Sequence, residues 1–372
     1  MIIDLHTPTA VVFGAGRFAE LGGHAARYGG RALLVCGRTA ARRHGLLAAA
    51  SAELERAGLA VAVSDNISPE PLASEVDAAV GVAARARCDV VVALGGGSAI
   101  DAGKAVAVGL RVGPVGPLVG TTLPAVEDAL PVIAVPTVTG SGAEVTKGAI
   151  VTDDDRALKS GIRGDSLFPR VAIIDPELTR TVPAPVVAAS AFDALTHAVE
   201  GYVARKANPV TRALAVRALD ILGSRLPRLA AGADDPALRA DLALAALLGG
   251  INVANASTCL PHRLQQAMGS VPRVTISHGR GLAAVYPAWL RHAQPHAEGA
   301  FATVAQALGA DDAVTAVTRL LDTTGVGAPL RSHGFRATDV DALVGGVTGD
   351  TGNDPVPDID VDLIRTLYQE SL

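Results

Sequence analysis

DVVVALGGGSAID, residues 89–101, runs an apolar stretch straight into three glycines and a polar helix start. Val90 to Leu94 are apolar without alternation, as in a strand covered on both faces of a parallel sheet. The glycines let the backbone turn sharply and pass close to a ligand. The first N–H groups of the following helix then face that ligand with the positive end of the helix dipole, which suits a pyrophosphate. The segment is not Gly-x-Gly-x-x-Gly, and alone it also reads as a tight strand-to-helix turn with Ser98 as N-cap.

The same unbroken pattern recurs in RALLVC (31–36), LAVAVS (59–64), PVIAVP (131–136) and RVAIID (170–175). Between these runs, 40–57, 71–87 and 98–109 are rich in Ala, Leu, Val and Glu, as crossover helices are. The alternation predicts a doubly wound α/β domain with a parallel sheet. After Asp175 the strand signal ends, and helical-length segments follow at 186–204, 208–230, 236–256, 282–292, 299–308 and 311–323. Pro183, Pro185, Gly201, Pro209 and Pro227 punctuate them as stops and starts. The expectation is an α/β domain over 1–178 and an all-α domain over 179–372, with ligands in the cleft between them.

A chain of 372 residues with 49% hydrophobic and 19% charged residues can bury a large core, which excludes a disordered or low-complexity protein. Its net charge of -5, from 32 basic and 37 acidic side chains, supplies no positive field, so nucleic acid is not an expected partner. Cys36, Cys88 and Cys259 are an odd number at distant positions and read as reduced thiols of a cytosolic protein. The N-terminal MIIDLHTPTAVVFGAG has no basic n-region or cleavage site, and no stretch reads as long enough to span a bilayer. A soluble cytoplasmic protein without a membrane partner is expected.

PTVTGSGAEVT (136–146) places hydroxyls and glycines just past a strand's carboxyl end, where open α/β sheets bind cofactors, although alone it is an ordinary Ser/Thr-rich loop. In AFDALTHAVE, Asp193 and His197 are four apart and share one helix face. With His262 and His278 they make a donor set suited to a divalent transition metal. An Asp–His pair at this spacing is equally a hydrogen-bonded pair, and isolated histidines such as His24 and His333 read as packed or surface residues. Spacing leaves both readings open.

GGGSAIDAGKA, PTVTGSGAEVT, KSGIRGDSLFPRVAIIDPELT, FDALTHAVE, His262 and SHG at 277–279 occur in one order, between VVFGAG (11–16) and NDPVP (353–357). Together they resemble the iron-containing, or group III, alcohol dehydrogenase family. The resemblance implies a Rossmann-like domain and a helical domain, the architecture shared with dehydroquinate synthase-like proteins, and NAD(P)H-linked hydride transfer near one divalent metal. It implies that Gly95, Gly96, Gly97 and Ser98 hold the pyrophosphate and that Gly37 and Asp101 lie beside the cofactor. Thr137, Thr139 and Ser141 would line the adenine and nicotinamide side, and Lys159 would reach the nicotinamide ribose. Asp193, His197, His262 and His278 match the metal ligands and act in catalysis through the metal. Four ligands close a tetrahedral site, whereas a Lewis acid needs an open position, so Fe²⁺ with five or six ligands is expected, and Zn²⁺ as a substitute.

Three departures bear on the chemistry. Gln266 stands where many members of the family place a further His, and an amide cannot relay a proton at neutral pH. The stretch from His262 to His278 is about two residues longer than the family's spacing, a change that loops tolerate. After RALLVC the chain has Gly37-Arg38-Thr39 where NAD-using members often place an Asp, and Arg38, Arg42 or Arg43 would pair with a 2′-phosphate, which favours NADPH over NADH. Arg263, Arg273 and Arg280 flank the later ligands and suit an anionic substrate, as some relatives reduce maleylacetate, succinic semialdehyde or phosphonoacetaldehyde. The expected protein is a homodimeric alcohol dehydrogenase or aldehyde reductase acting on CH–OH groups of small substrates. The alternatives are a dehydroquinate synthase-like lyase or glycerol dehydrogenase-like enzyme, and an inactive nucleotide-binding protein.

Overall fold

The computed structural model describes residues 3–233 and 235–372. The chain forms two compact units. One, an α/β unit, comprises Thr7–Val138 and Ala143–Val182; the other, a helical unit, comprises Pro183–Leu372, Thr139–Gly142 and the segment ending at His6.

Among the described residues the strands are β1 (Ala10–Phe13), β2 (Arg31–Gly37), β3 (Ala60–Ile67), β4 (Val90–Gly95), β5 (Val132–Pro136), β6 (Gly148–Asp153), β7 (Leu158–Arg163) and β8 (Val171–Ile174). Six of them form a parallel sheet in the order β1-β8-β5-β4-β2-β3. Helices α1 (Leu21–Ala25), α2 (Ala40–Arg43), α3 (Leu46–Arg56), α4 (Ala73–Ala86) and α5 (Gly97–Val112) accompany it. The unbroken apolar runs have a direct cause. Leu33, Val35, Val91, Ala93, Val132 and Ala134 enter the core on one face of the sheet, and their neighbours Ala32, Leu34, Val90, Val92, Ile133 and Val135 enter the core on the other. With both faces covered, neither side of the pleat can be polar.

Two expectations need correction here. LAVAVS reads as doubly covered, yet β3 is an edge strand with Ala60 and Val63 exposed, because nothing pairs beyond it. The antiparallel hairpin of β6 and β7 escapes the sequence pattern because GAIVTD alternates between buried and half-buried positions, as a strand covered on one face does.

The helical unit contains α6 (Ala184–Val203), α7 (Pro209–Ala230), α8 (Pro236–Ala256), α9 (Leu260–Ala267), α10 (His278–Ala293), α11 (Glu298–Ala307), α12 (Ala313–Thr324), α13 (Val340–Gly345) and α14 (Val361–Glu370). Helix α7 begins at a capping box in which Asn208 accepts from the Val210 and Thr211 amides and Thr211 returns a bond to the Asn208 N–H. Asp235 caps α8 in the same manner, through the Ala237 amide. Helices α9, α13 and α14 lie outside the segments expected from sequence, and α10 starts four residues before 282, at His278 itself. Helix α8 also overturns the expectation that no stretch is long and apolar enough to cross a bilayer: Pro236–Ala256 meets that measure with a mean hydropathy of 1.5 over its best window. It is apolar because it is packed inside, with Leu238, Leu242, Ala246 and Asn252 all buried.

Candidate metal centre and cofactor loop

Helix α6 carries Asp193, His197 and Glu200 at intervals of four and three, so all three project from one face. Helix α9 supplies His262 and the first turn of α10 supplies His278. Close packing of α10 on α6 depends on Gly279, since a Cβ there would lie 2.0 Å from the Ala189 carbonyl oxygen. The Oδ1 atom of Asp193 is 3.4 Å from His278 Nε2, 3.5 Å from His197 Nε2 and 3.7 Å from His262 Nε2. Donor atoms about 2.1 Å from a four-coordinate ion lie about 3.4 Å from one another, so these separations are those of a ligand shell. Asp193, His262 and His278 each offer a donor atom within 4.8 Å of the others.

The residues fit a metal by a second test. Asp193 Oδ1 and His262 Nε2 are buried without a hydrogen-bond partner, a costly arrangement unless something between them accepts their electron pairs. Three imidazoles and one carboxylate suit iron or zinc better than magnesium or calcium. The His278 side chain is 34% exposed whereas those of Asp193, His197 and His262 are buried, so the site opens on the His278 side.

Outer contacts set the tautomers. His262 Nδ1 donates to Glu200 Oε2 at 2.8 Å, and a carboxylate can only accept, so the Nε2 lone pair faces Asp193. His278 Nδ1 donates to Gln265 Oε1 at 2.6 Å with the same result. Glu200 Oε2 also accepts from the Cys259 amide at 2.6 Å, and Asp354 Oδ2 accepts from the Leu260 amide at 2.8 Å. Two buried carboxylates from distant segments thus hold the start of α9, where they also meet the helix dipole. Glu200, Gln265 and Asp354 are contacts that were not expected from the sequence. The first two lie one turn from His197 and His262 on their helices, and Asp354 stands in NDPVP, a stretch quoted without a role for this carboxylate.

Electrostatics follow from burial and these contacts. Burial would raise the Asp193 carboxyl, but the His197, His278 and His262 imidazoles together hold it well below its usual value. Burial pulls His197 down to about 4, the Asp193 carboxylate opposing. Burial also penalises charged His262, yet Glu200 and Asp193 outweigh it and push that imidazole up to about 9.

In the α/β unit, α5 opens after Gly95 and Gly96 with no side-chain cap. Gly95 adopts φ 155°, and a Cβ there would meet Ala99 Cβ at 2.7 Å, so the turn needs glycine. Ser98 is not the N-cap, as the alternative reading had it: Gly96 is, and the Ser98 hydroxyl donates to the Pro69 carbonyl. Asp101 Oδ2 accepts from the Ile150 amide at 2.9 Å, and its Oδ1 lies 3.4 Å from the buried Lys104 ammonium, which ties α5 to β6. Gly37 ends β2, and Thr137 donates its amide to the Gly95 carbonyl. Lys159 pairs with Glu70 at 2.5 Å, and Thr139 and Ser141 belong to the helical unit. Arg38 pairs with Glu75 and Arg42 with Asp65. Of the other arginines, Arg273 pairs with Asp339, Arg280 adjoins His333, and Arg263 is buried beside His262.

Comparisons with known proteins agree along the chain. A family model described as iron-containing alcohol dehydrogenase matches residues 8–176, and one for the C-terminal part of the Fe-containing alcohol dehydrogenase family matches residues 187–371. The NAD-dependent methanol dehydrogenase of Bacillus methanolicus is 33% identical over 274 residues, 73% of this chain and 71% of that protein. The 1,3-propanediol dehydrogenase of Klebsiella pneumoniae is 30% identical over 353 residues, 91% and 90% of the two chains. Among solved structures, an archaeal halo-thermophilic Red Sea brine-pool alcohol dehydrogenase matches 100% of both chains with a TM-score of 0.94 at 27% identity.

Proposed function

Because the chain belongs to the iron-containing alcohol dehydrogenase family, we propose that it is a metal-dependent, nicotinamide-linked oxidoreductase that interconverts a small alcohol with its aldehyde or ketone. The reading is carried by one observation, the convergence of three imidazole nitrogens on the orphaned Asp193 oxygen. When bound, Fe²⁺ supplies Lewis acidity toward the substrate oxygen and the reduced nicotinamide supplies hydride.

The chain's own residues do the positioning. Asp193, His197, His262 and His278 hold the ion, and Glu200 and Gln265 keep the protons of His262 and His278 on Nδ1. The uncapped start of α5 offers the amides of Gly97 and Ser98 to the cofactor's pyrophosphate. The Gln266 amide holds no transferable proton at neutral pH, so water on the exposed His278 side protonates the product oxygen. The substrates include aldehydes and keto compounds that bear an anionic group. The cofactor is NADH: Arg38 pairs with Glu75 and Arg42 with Asp65, and the NAD-dependent methanol dehydrogenase of Bacillus methanolicus is among the relatives.

The test is anaerobic oxidation of NADH and of NADPH by the purified protein with Fe²⁺ or Zn²⁺ and a panel of small aldehydes and ketones. Turnover that is removed by a chelator, restored by the metal and lost in His262→Ala is the expected outcome. Failure of every carbonyl compound, with metal and cofactor both bound, would sink the proposal.

A further inference from the structure

Helix α9 holds two buried polar side chains that the metal does not use. Arg263 is 8% exposed and Gln266 7% exposed, and among the described residues neither makes a side-chain hydrogen bond or ion pair. Arg263 Nε is enclosed and unpartnered. The half-buried Arg225 of this unit, by contrast, is matched by Asp241 at 2.7 Å. The nearest carboxylate inside the unit, Glu200, is already shared between His262 Nδ1 and the Cys259 amide. Asp350 acts on the guanidinium only at a distance and lies 3.7 Å from Lys206. A buried cation with no counter-charge is strongly destabilising, so the chain keeps Arg263 against a cost.

Placement says what the missing partner is. Gln266 lies four residues after the ligand His262 and three after Arg263, so one helix face brings its amide beside both. Gly349 packs beside the guanidinium, where a Cβ would lie 3.4 Å from Arg263 Nε, at van der Waals contact. A planar fork of N–H donors with a neighbouring amide matches the oxygens of a carboxylate, sulfonate or phosphonate.

We propose that Arg263 and Gln266 anchor the anionic group of the substrate, so that the preferred substrate is a short aldehyde or keto compound ending in a carboxylate, sulfonate or phosphonate. This rests on the oxidoreductase reading above and names its substrate class.

The experiment compares metal-loaded native protein with Arg263→Met and Arg263→Lys. Their kcat/KM values are measured with NADH on succinic semialdehyde, sulfoacetaldehyde and neutral butanal. Binding of ethanesulfonate, which has no carbonyl, is followed by calorimetry, with inorganic sulfate as the free-anion control. The expected result is a native preference for an anionic aldehyde, a fall of about 100-fold in the anionic-to-neutral ratio in Arg263→Met, and partial retention in Arg263→Lys. Ethanesulfonate binds the native protein more tightly than sulfate does and does not bind Arg263→Met. Arg263→Met is at least as thermally stable as the native protein, which a structural arginine would not allow. Reduction of butanal with a ratio that Arg263→Met leaves unmoved overturns the anion anchor and spares the oxidoreductase reading. If no aldehyde reacts while ethanesulfonate still binds through Arg263, the oxidoreductase reading falls and the anion site stands.

Discussion

At the scale of single residues, Glu200 decides how well His262 can serve as a ligand. It holds the Nδ1 proton and leaves Nε2 free, and the same carboxylate pushes the imidazole up to about 9. An ion must therefore displace a proton from the metal-free site at neutral pH, and its affinity rises as pH is raised toward 9 and weakens in acid. Calorimetry in buffers of different protonation enthalpy should register release of about one proton per ion at pH 7. Glu200→Gln should lower Fe²⁺ or Zn²⁺ affinity by about 10- to 100-fold, with an equilibrium titration as the readout. An unchanged dissociation constant would mean that the carboxylate serves only the Cys259 amide.

At the scale of elements, α6 and α10 meet through the Phe192–Tyr286 ring pair, with centroids 5.7 Å apart, and through the bare backbone of Gly279. Gly279→Ala puts a methyl group 2.0 Å from the Ala189 oxygen, which only displacement of α10 relieves. The expected loss is about 1–3 kcal/mol of stability together with at least about tenfold weaker metal binding, seen as a lowered Tm and a weaker titration. The other anchor of α9 titrates. Asp354 is pushed up to about 6, by burial first and by Glu200 in addition, while the Leu260, Val356 and Trp289 N–H groups oppose the shift. Its folded value is raised above the unfolded one, so its contribution to stability is full below about pH 4 and is lost as pH rises through about 6. Trp289, the single tryptophan, donates to this carboxylate at 3.0 Å. Its fluorescence should titrate with a midpoint near pH 6, and Asp354→Asn should abolish the transition.

At the scale of the molecule, the proposed metal ligands and the loop proposed to hold the cofactor's pyrophosphate belong to different compact units. Saturating metal, at about 100 times its dissociation constant, adds about 2.7 kcal/mol to the state that binds it. Hydrogen exchange should slow in α6, α9 and the start of α10 on adding metal, and around Gly95–Ile100 on adding NADH. Equal protection of β2 and β4 by metal alone would contradict a site confined to the helical unit.

The order of strands and helices was legible because each is a local pattern. Runs such as DVVVAL and RALLVC must be apolar throughout when both faces of the sheet are covered, and α8 spans the expected 236–256, whereas Gly201 and Pro227, expected at helix ends, lie inside α6 and α7 because packing holds the helix past them. Asp193 and His197 were legible for the same reason, since four residues make one helical turn. The sequence by itself determined the fold class, the one helix face shared by Asp193 and His197, and the glycine turn that opens α5. Only the tertiary structure decided that His262 and His278 reach the same oxygen, that Asp354 anchors α9 across 94 residues, and that Arg38 is paired while Arg263 is not. Those facts depend on contacts between segments distant in the chain, and neither spacing nor hydrophobic period encodes which buried charge meets which partner.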